Sequence, residues 1–542
     1  MMKKIVVCML VISLALGLIA CGDGSAGGNG NGTGDSKYSD RSVKIKFSYY
    51  DGGYGSEWIK AVTEDYMENV NSDVYIEMVP SYDNSTAYAD ICSGAASADL
   101  YQIETSVFGC GEYLAELSDV YESKAYGEET LIKDKITEES YQFYNENGNY
   151  YQMPNTKMTG WNWVYNKTVL DEVLGEGNYT LPRTTDEFFA LGDLLFEKNT
   201  FLTVGAFADT QGGDYLNYAF ENWFAQMVGK KGYNNFFNGL YQDENGEWKL
   251  SEKSPMMIST NQAAIEAAYG VAYRLCEKTN HYVYSDSASL NYKGADQVFY
   301  GGGYGMNKAK VACLYTGPWI RLEVDDLIED GIIEDQEIVA SRMPVISAIT
   351  ERCSTISNDS VLAAVVDYVD GVNQTMPEGV SEEDAAIVKE ARNMLSENVC
   401  RSMVVPNSGK NIDVVKDFLR YLASDRAQKI SAQHTNGQNM LPFGYVPTEE
   451  DMGFEFSEYI KSIYSKQADT VVIDVSMLDK PFTQATNLKW YYDKNAGSGS
   501  LAKTIFVGGA GGVEKIFQST LNYFDTERWA TYIENYHLLI GQ

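Results

Sequence analysis

From Val43 onward the chain switches repeatedly between two hydrophobic periods. Val43 to Tyr50, VKIKFSYY, alternates and is rich in β-formers, so it reads as an opening strand. A turn follows, Asp51-Gly52-Gly53-Tyr54-Gly55. Glu57 to Val70 then carries Trp58, Val62, Tyr66 and Val70 at helical spacing. Val74 to Val79 reads as a second strand, Thr86 to Ser93 as a helix, and Asp99 to Ile103 as a third short strand. The order β-α-β-α-β predicts parallel strands with crossover helices, an α/β lobe. Ligands on such lobes sit at the carboxyl ends of strands, here the loops around Asp51–Tyr54 and Glu104–Val107.

The same reading continues downstream. Gly160 to Lys167 is expected as a strand ending in a turn, and Leu181 to Glu187 as a helix opening with Thr184 or Thr185 as its cap. Val311 to Tyr315 is a buried-type strand running into Thr316-Gly317-Pro318-Trp319, a turn that displays an indole. Asn411 to Ser424 places Val414, Val415, Phe418, Leu419 and Leu422 on one face, an amphipathic helix. No repeat of solenoid period is present. The glycine runs Gly301–Gly305 and Gly508–Gly512 lack the P-loop pattern and read as flexible loops.

The N-terminus breaks this rhythm. Lys3 and Lys4 precede a nearly unbroken apolar run, Ile5 to Ile19, ending in Leu18-Ile19-Ala20-Cys21. A positive start, a short apolar core and a small residue before the cut describe a secretory signal peptide over residues 1–20. The Ala-Cys junction after leucine resembles the bacterial lipobox, which implies acylation of Cys21. An ordinary signal peptide or a membrane anchor are the alternatives. Residues 21–40 form a Gly-, Ser- and Asn-rich tether, which reaches about 25 Å as a flexible chain. The expected location is extracytoplasmic, on the outer face of the cell membrane. No later segment has the eighteen or so consecutive apolar residues of a membrane span.

Composition narrows the chemistry. A formal charge of −34 argues against nucleic acid as a partner, since its phosphates need concentrated Lys and Arg, and against a grip on anionic lipid. The 40 Tyr, 21 Phe and 8 Trp suit both half-buried core positions and the stacking walls of a sugar site. Cys92 with Cys110, and Cys353 with Cys400, are conceivable bridges, and unpaired buried thiols are the alternative for these and for Cys276 and Cys313. The histidines His281, His434 and His537 stand apart from any motif, so neither a metal site nor a cofactor is expected.

Four segments taken in order resemble the extracellular solute-binding proteins of ABC importers, in their oligosaccharide-binding branch (family 1). They are the strand, DGGYG and helix leading to Ser93–Leu100 and Tyr113–Leu117; then Tyr151-Gln152-Met153-Pro154 with Val164-Tyr165-Asn166-Lys167 and Leu181–Glu187; then Tyr315–Trp319; then Asn407 to Pro447. The resemblance implies a two-lobed periplasmic-binding-protein-like α/β fold (type II), with several crossovers and a ligand cleft between lobes. It puts residues 41–155 in lobe 1, 156–343 in lobe 2, 344–447 back in lobe 1 with an insertion at 346–402, and 448–542 in lobe 2.

By the same resemblance Trp319 stacks on a sugar ring and Trp490 is a second stacking residue. Asp51 and Tyr54 make polar contacts, although Asp-Gly turn chemistry explains Asp51 equally well. Trp161 faces the ligand in preference to Trp163, which is expected in the core. Tyr218, Glu221 and Trp223 form an aromatic-acidic contact segment, and Glu104 is a polar contact after the third strand. Glu104 stands in a loop without the Trp and Asp that the family's maltose binders carry there, so maltose itself is not implied. The implied function is capture of a carbohydrate, an oligosaccharide, by a monomeric, non-enzymatic receptor that passes it to a permease. Rival readings are a secreted glycoside hydrolase, whose paired carboxylates so acidic a chain can supply, an anchored adhesin, or a binder of a polyamine or peptide.

Overall fold

The computed structural model describes residues 37–38, 40–51, 53–81, 84–103, 107–137, 141, 144–208, 215–301, 309–439, 441–466, 469–475, 481–486, 488 and 500–540. The side chains of 84–85, 157–161, 398–401, 484 and 526 are outside the description. Cys21 and the tether up to residue 36, Glu104 and Trp490 therefore lie outside the described residues, as does the side chain of Trp161.

The chain divides into two compact units. The first comprises residues up to Gly52, Ser56–Asn155 and Arg401–Ile430; the second comprises Gly53–Gly55, Thr156–Cys400 and Ser431–Gln542. Residues 344–400 and 431–447 thus belong with the second unit, where lobe 1 had been expected. The reason is their packing, described below, and not their place in the chain.

The first unit begins with β1 (Val43–Tyr50), α1 (Glu57–Asp65), β2 (Val74–Ser81), α2 (Asn84–Cys92) and β3 (Leu100–Ile103). The strand order is β2-β1-β3, all parallel, with Val43 opposite Val74 and Phe47 opposite Leu100. Ile45, Phe47 and Tyr49 are buried because alternate side chains of a strand share one face. The helix predicted to Val70 is α-helical only to Asp65; Tyr66–Val70 widens into a π-turn, where the Asn71 N–H reaches the Tyr66 carbonyl at 2.8 Å.

The second unit contains β4 (Met153–Asn166, entering from the first unit), α3 (Thr185–Phe196), β5 (Phe201–Thr203), α4 (Leu216–Phe237), α5 (Tyr292–Phe299), β6 (Val311–Thr316), α6 (Ile320–Glu329), β7 (Ile338–Ser341), α7 (Asp359–Val369) and α8 (Glu382–Arg392). Its sheet runs β5-β6-β4-β7. Strand β6 is parallel to β5 and antiparallel to β4, and Tyr165 of β4 lies opposite both Cys313 and Val339. Thr184 caps α3, its hydroxyl oxygen accepting from the Glu187 N–H at 3.2 Å. Trp163 is fully buried, as expected, against Phe188, Trp223 and Tyr315.

Strand β8 (Met394–Val404) carries the chain back into the first unit. There its end pairs antiparallel with β3, Ser402 opposite Ile103. Helix α9 (Ile412–Leu422) then buries Val415, Phe418, Leu419, Tyr421 and Leu422, with Phe418 against Phe47 and Tyr66. In the second unit β9 (Val471–Asp474) pairs parallel with the start of β8.

The expected insertion is a built part of the second unit. Asp359, at the start of α7, accepts from the hydroxyls of Thr184 (2.8 Å) and Ser347 (2.7 Å), and Asp367 is ion-paired with Arg183 at 2.5 Å. Gly229 breaks α4 with φ of 73°, a left-handed conformation that glycine adopts at least cost. Glu390 of α8 accepts from the N–H of the next residue, Lys230, at 3.0 Å. These bonds hold 359–392 against α3 and α4.

Cys92 and Cys110 form a disulfide spanning 18 residues, joining the end of α2 to the loop after β3. The other conceivable bridge is absent: Cys353 is a free thiol, half-buried. Cys313 is fully buried, and burial pushes its thiol well above the usual range.

Candidate aromatic and acidic binding site

Trp319 closes the turn after β6 and stands immediately before α6. It is 2 % exposed, so the turn does not hold the indole out in solvent. Gly317 sets its position. A Cβ at that glycine would lie 2.1 to 2.3 Å from three indole carbons, so the ring lies across the glycine's open side. The Tyr459 hydroxyl donates to the Gly317 carbonyl at 3.4 Å and braces the turn.

Two tyrosines meet Trp319. Tyr54, in the three-residue segment that groups with the second unit, contacts it edge-to-face at 5.6 Å and 78°. Tyr215 does the same at 6.4 Å and 80°. Such T-shaped contacts set the positive edge of one ring against the electron-rich face of another. Tyr54 and Trp319, selected from distant parts of the sequence, are thus brought together; Tyr215 was not selected.

Tyr215 leads into a small pocket of the second unit. Its walls are apolar at Val204, Ala206, Leu216 and Leu314, with Tyr215, Tyr292, Tyr315 and Asp296 as its polar lining. Asp296 rides on α5, whose start is capped by Asn291 accepting from the Gly294 N–H at 2.9 Å. Asp296 is 4 % exposed, and among the described residues its Oδ2 has no hydrogen-bond partner. Burial pushes this carboxyl well above the usual range, against the opposing field of Lys293. Burial likewise raises the Tyr215 phenol, and the negative charges of Glu323 and Asp296 raise it further.

The remaining selected residues fall in other surroundings. Tyr218 is half-buried, and Glu221, 8 % exposed, accepts from the Tyr233 hydroxyl. Both are close enough to act electrostatically on the buried Tyr315 phenol, after burial the main causes of its upward shift once the opposing Ser396 hydrogen bond is counted. Trp223 is fully buried beside Phe188 and Phe220, and its indole N–H donates to the Pro344 carbonyl at 2.9 Å. It sits on a stretch of α4 buried without interruption from Ala219 to Met227, so its ring serves the core.

The first unit has its own polar group at the carboxyl ends of β1 and β3. Asp51 is half-buried, and its backbone N–H donates to the Ser81 carbonyl at 3.4 Å. Gln102 accepts from the Tyr50 N–H at 3.2 Å and donates to Asn155. Gln152 accepts from the Ser402 hydroxyl at 3.2 Å and the Val107 N–H at 3.4 Å. This buried amide network stiffens the strand ends from which Asp51 projects. No sequence motif marked it. The signal for Tyr292 and Asp296 was equally faint: two polar residues four apart in one helix, which share a face.

Among the described residues no group of three or more His, Cys, Asp and Glu side chains is placed to hold a metal ion. No described helix is long and apolar enough to cross a membrane.

No protein-family model matches the chain, and no curated protein matches it in sequence. Solved structures do share its fold. The raffinose complex of the binding protein RafE superposes with a TM-score of 0.54 at 11 % identity, covering 89 % of this chain and 100 % of that one. A chitin oligosaccharide binding protein gives 0.54 at 13 % identity, covering 90 % and 99 %. An ABC substrate-binding protein from Listeria monocytogenes, in complex with cycloalternan, gives 0.52 at 12 % identity, covering 90 % and 99 %. The chain therefore has the mixed α/β fold of the two-lobed solute-binding proteins.

Proposed function

We propose that this protein is the extracytoplasmic solute-binding component of an ABC importer, that its ligand is a carbohydrate, an oligosaccharide, and that it acts by capture and release without catalysis. The observation that carries this reading is the indole of Trp319, laid over Gly317 and ringed by Tyr54 and Tyr215. Aromatic rings give a pyranose an apolar face to rest on, and the nearby acids accept hydrogen bonds from its hydroxyls, charge-assisted where the acid is ionised. The sugars bound by solved structures of the same fold, raffinose and cycloalternan among them, support the sugar class. Asp51, Tyr218 and Glu221 remain proposed polar contacts, with Glu104, Trp161 and Trp490 proposed from the sequence alone.

The reading is tested by titrating oligosaccharides into the purified full chain while following tryptophan fluorescence. Trp319→Ala should weaken binding about 100-fold while leaving the circular dichroism spectrum in place. Gly317→Ala should reproduce much of that loss, because its methyl group occupies the indole's position. Silence toward every glycan, with tight binding of a peptide, would remove the sugar reading, and cleavage products would restore the hydrolase.

The anchor belongs to the same proposal. Acylated Cys21 and the tether would hold the receptor beside the permease that empties it. Cys21→Ala should release the protein from washed membranes; retention on them would argue against the lipid anchor.

A further inference from the structure

The buried acid of the second unit's pocket poses a problem that a neutral sugar does not solve. Asp296 is 4 % exposed and its Oδ2 lacks a partner among the described residues. Unpaired carboxylates are rarely left dry, because burial penalises the charge and the unused oxygen alike. Among the described residues no Lys, Arg or His lines the pocket. Lys293, the cation whose field reaches Asp296, is exposed and sits 5.9 Å over the Tyr292 ring. A second acid, Glu323, acts on the same Tyr215 phenol as Asp296. The pocket thus combines a carboxylate without a base and three tyrosines in an apolar wall. Aromatic walls around an acid are the environment that favours an ammonium group, through charge pairing and attraction to the ring faces. A sugar hydroxyl could satisfy the oxygen, but only a cation would also favour the ionised form that burial opposes.

Resting on the carbohydrate reading, we infer that the ligand carries a protonated amine that seats against Asp296 between Tyr215 and Tyr292: an amino sugar with a free amino group. The enclosed part of the pocket suits this. It is about the size of one water molecule, closer to an ammonium head than to an acetamide.

A matched pair of glycans tests it. Chitosan oligosaccharides carry free amines, and the chitin oligosaccharides of equal length carry N-acetyl groups in their place. Calorimetric titration into the full chain in detergent should show the free-amine glycan binding at least about 100-fold more tightly. Asp296→Asn should remove that preference, so that the two glycans bind with similar affinity. Should that variant fail to fold, the wild-type comparison alone decides. Equal affinity for the two glycans, or a preference that survives Asp296→Asn, overturns the amine inference and leaves the sugar reading standing. Binding of spermidine with no response to either glycan, or to neutral oligosaccharides, overturns the sugar reading and the amino-sugar inference with it.

Discussion

Acidic side chains are used in opposite ways across the first unit and in the second unit's pocket. In the first, acids are matched to bases across elements. Asp65 pairs with Arg426 at 2.7 Å, Asp119 with Lys416 (2.6 Å) and Arg420 (2.9 Å), and Asp425 with Lys135 (2.8 Å). These bonds tie the region around α9 to α1 and to residues 119–135 of the same unit. In the second unit's pocket, Asp296 is more deeply buried and has no such base. Paired acids hold a fold together; a buried acid left uncompensated costs stability and is kept where a ligand completes it.

Three experiments bear on that contrast. The largest expected effect lies in the first unit and involves no charge. Replacing Cys92 and Cys110 by Ala should cost about 3 kcal/mol, from the loop entropy returned to the unfolded chain, read as a lower urea midpoint. An unchanged midpoint would show that the charge pairs alone organise this unit.

Next is Asp65. Burial alone would raise its carboxyl, but hydrogen bonds from Arg426 and Tyr421 outweigh it and the net shift is downward. A lowered folded value stabilises above the unfolded value of about 4, and the contribution is lost as pH falls through the folded value. Asp65→Asn should therefore cost about 1–3 kcal/mol at neutral pH and little in strong acid. A cost that is independent of pH would mean that packing, and not charge, is what the side chain supplies.

The smallest effect carries the opposite sign. Burial raises the Asp296 carboxyl, so the folded state holds its proton where the unfolded chain has lost it. That costs nothing below the unfolded value of about 4, and stability declines as pH rises from there toward the folded value. Asp296→Asn should be more stable than the wild type at neutral pH by less than about 1 kcal/mol, since the amide is also imperfectly matched. The gain should vanish below about pH 4. A loss of stability at neutral pH would show that the ligand-free acid is paired and end the contrast.

Much of the first unit was legible because its signals are local. Alternation in Val43–Tyr50, helical spacing from Trp58 to Tyr66 and the amphipathic face of α9 each depend on neighbours a few residues apart. The Thr184 cap and the indole-bearing turn at Trp319 were legible for the same reason. The allocation of 344–400 was not, because it rests on Asp359, Asp367 and Glu390 meeting residues far away in sequence. Trp223 shows the same limit from the other side: an aromatic-acidic stretch of helix looks alike whether it faces a ligand or a core.

The sequence by itself determined the elements, their α/β order, a turn that carries Trp319, and a strongly acidic chain. Tertiary structure decided which of many tyrosines and acids come together. Tyr54, Tyr215, Asp296 and Trp319 come from four separated segments, and only folding makes them neighbours. The physical reason is range. Periodicity and capping are written by contacts within a turn or a strand, whereas the burial that strands Asp296 without a base is a sum over the whole unit.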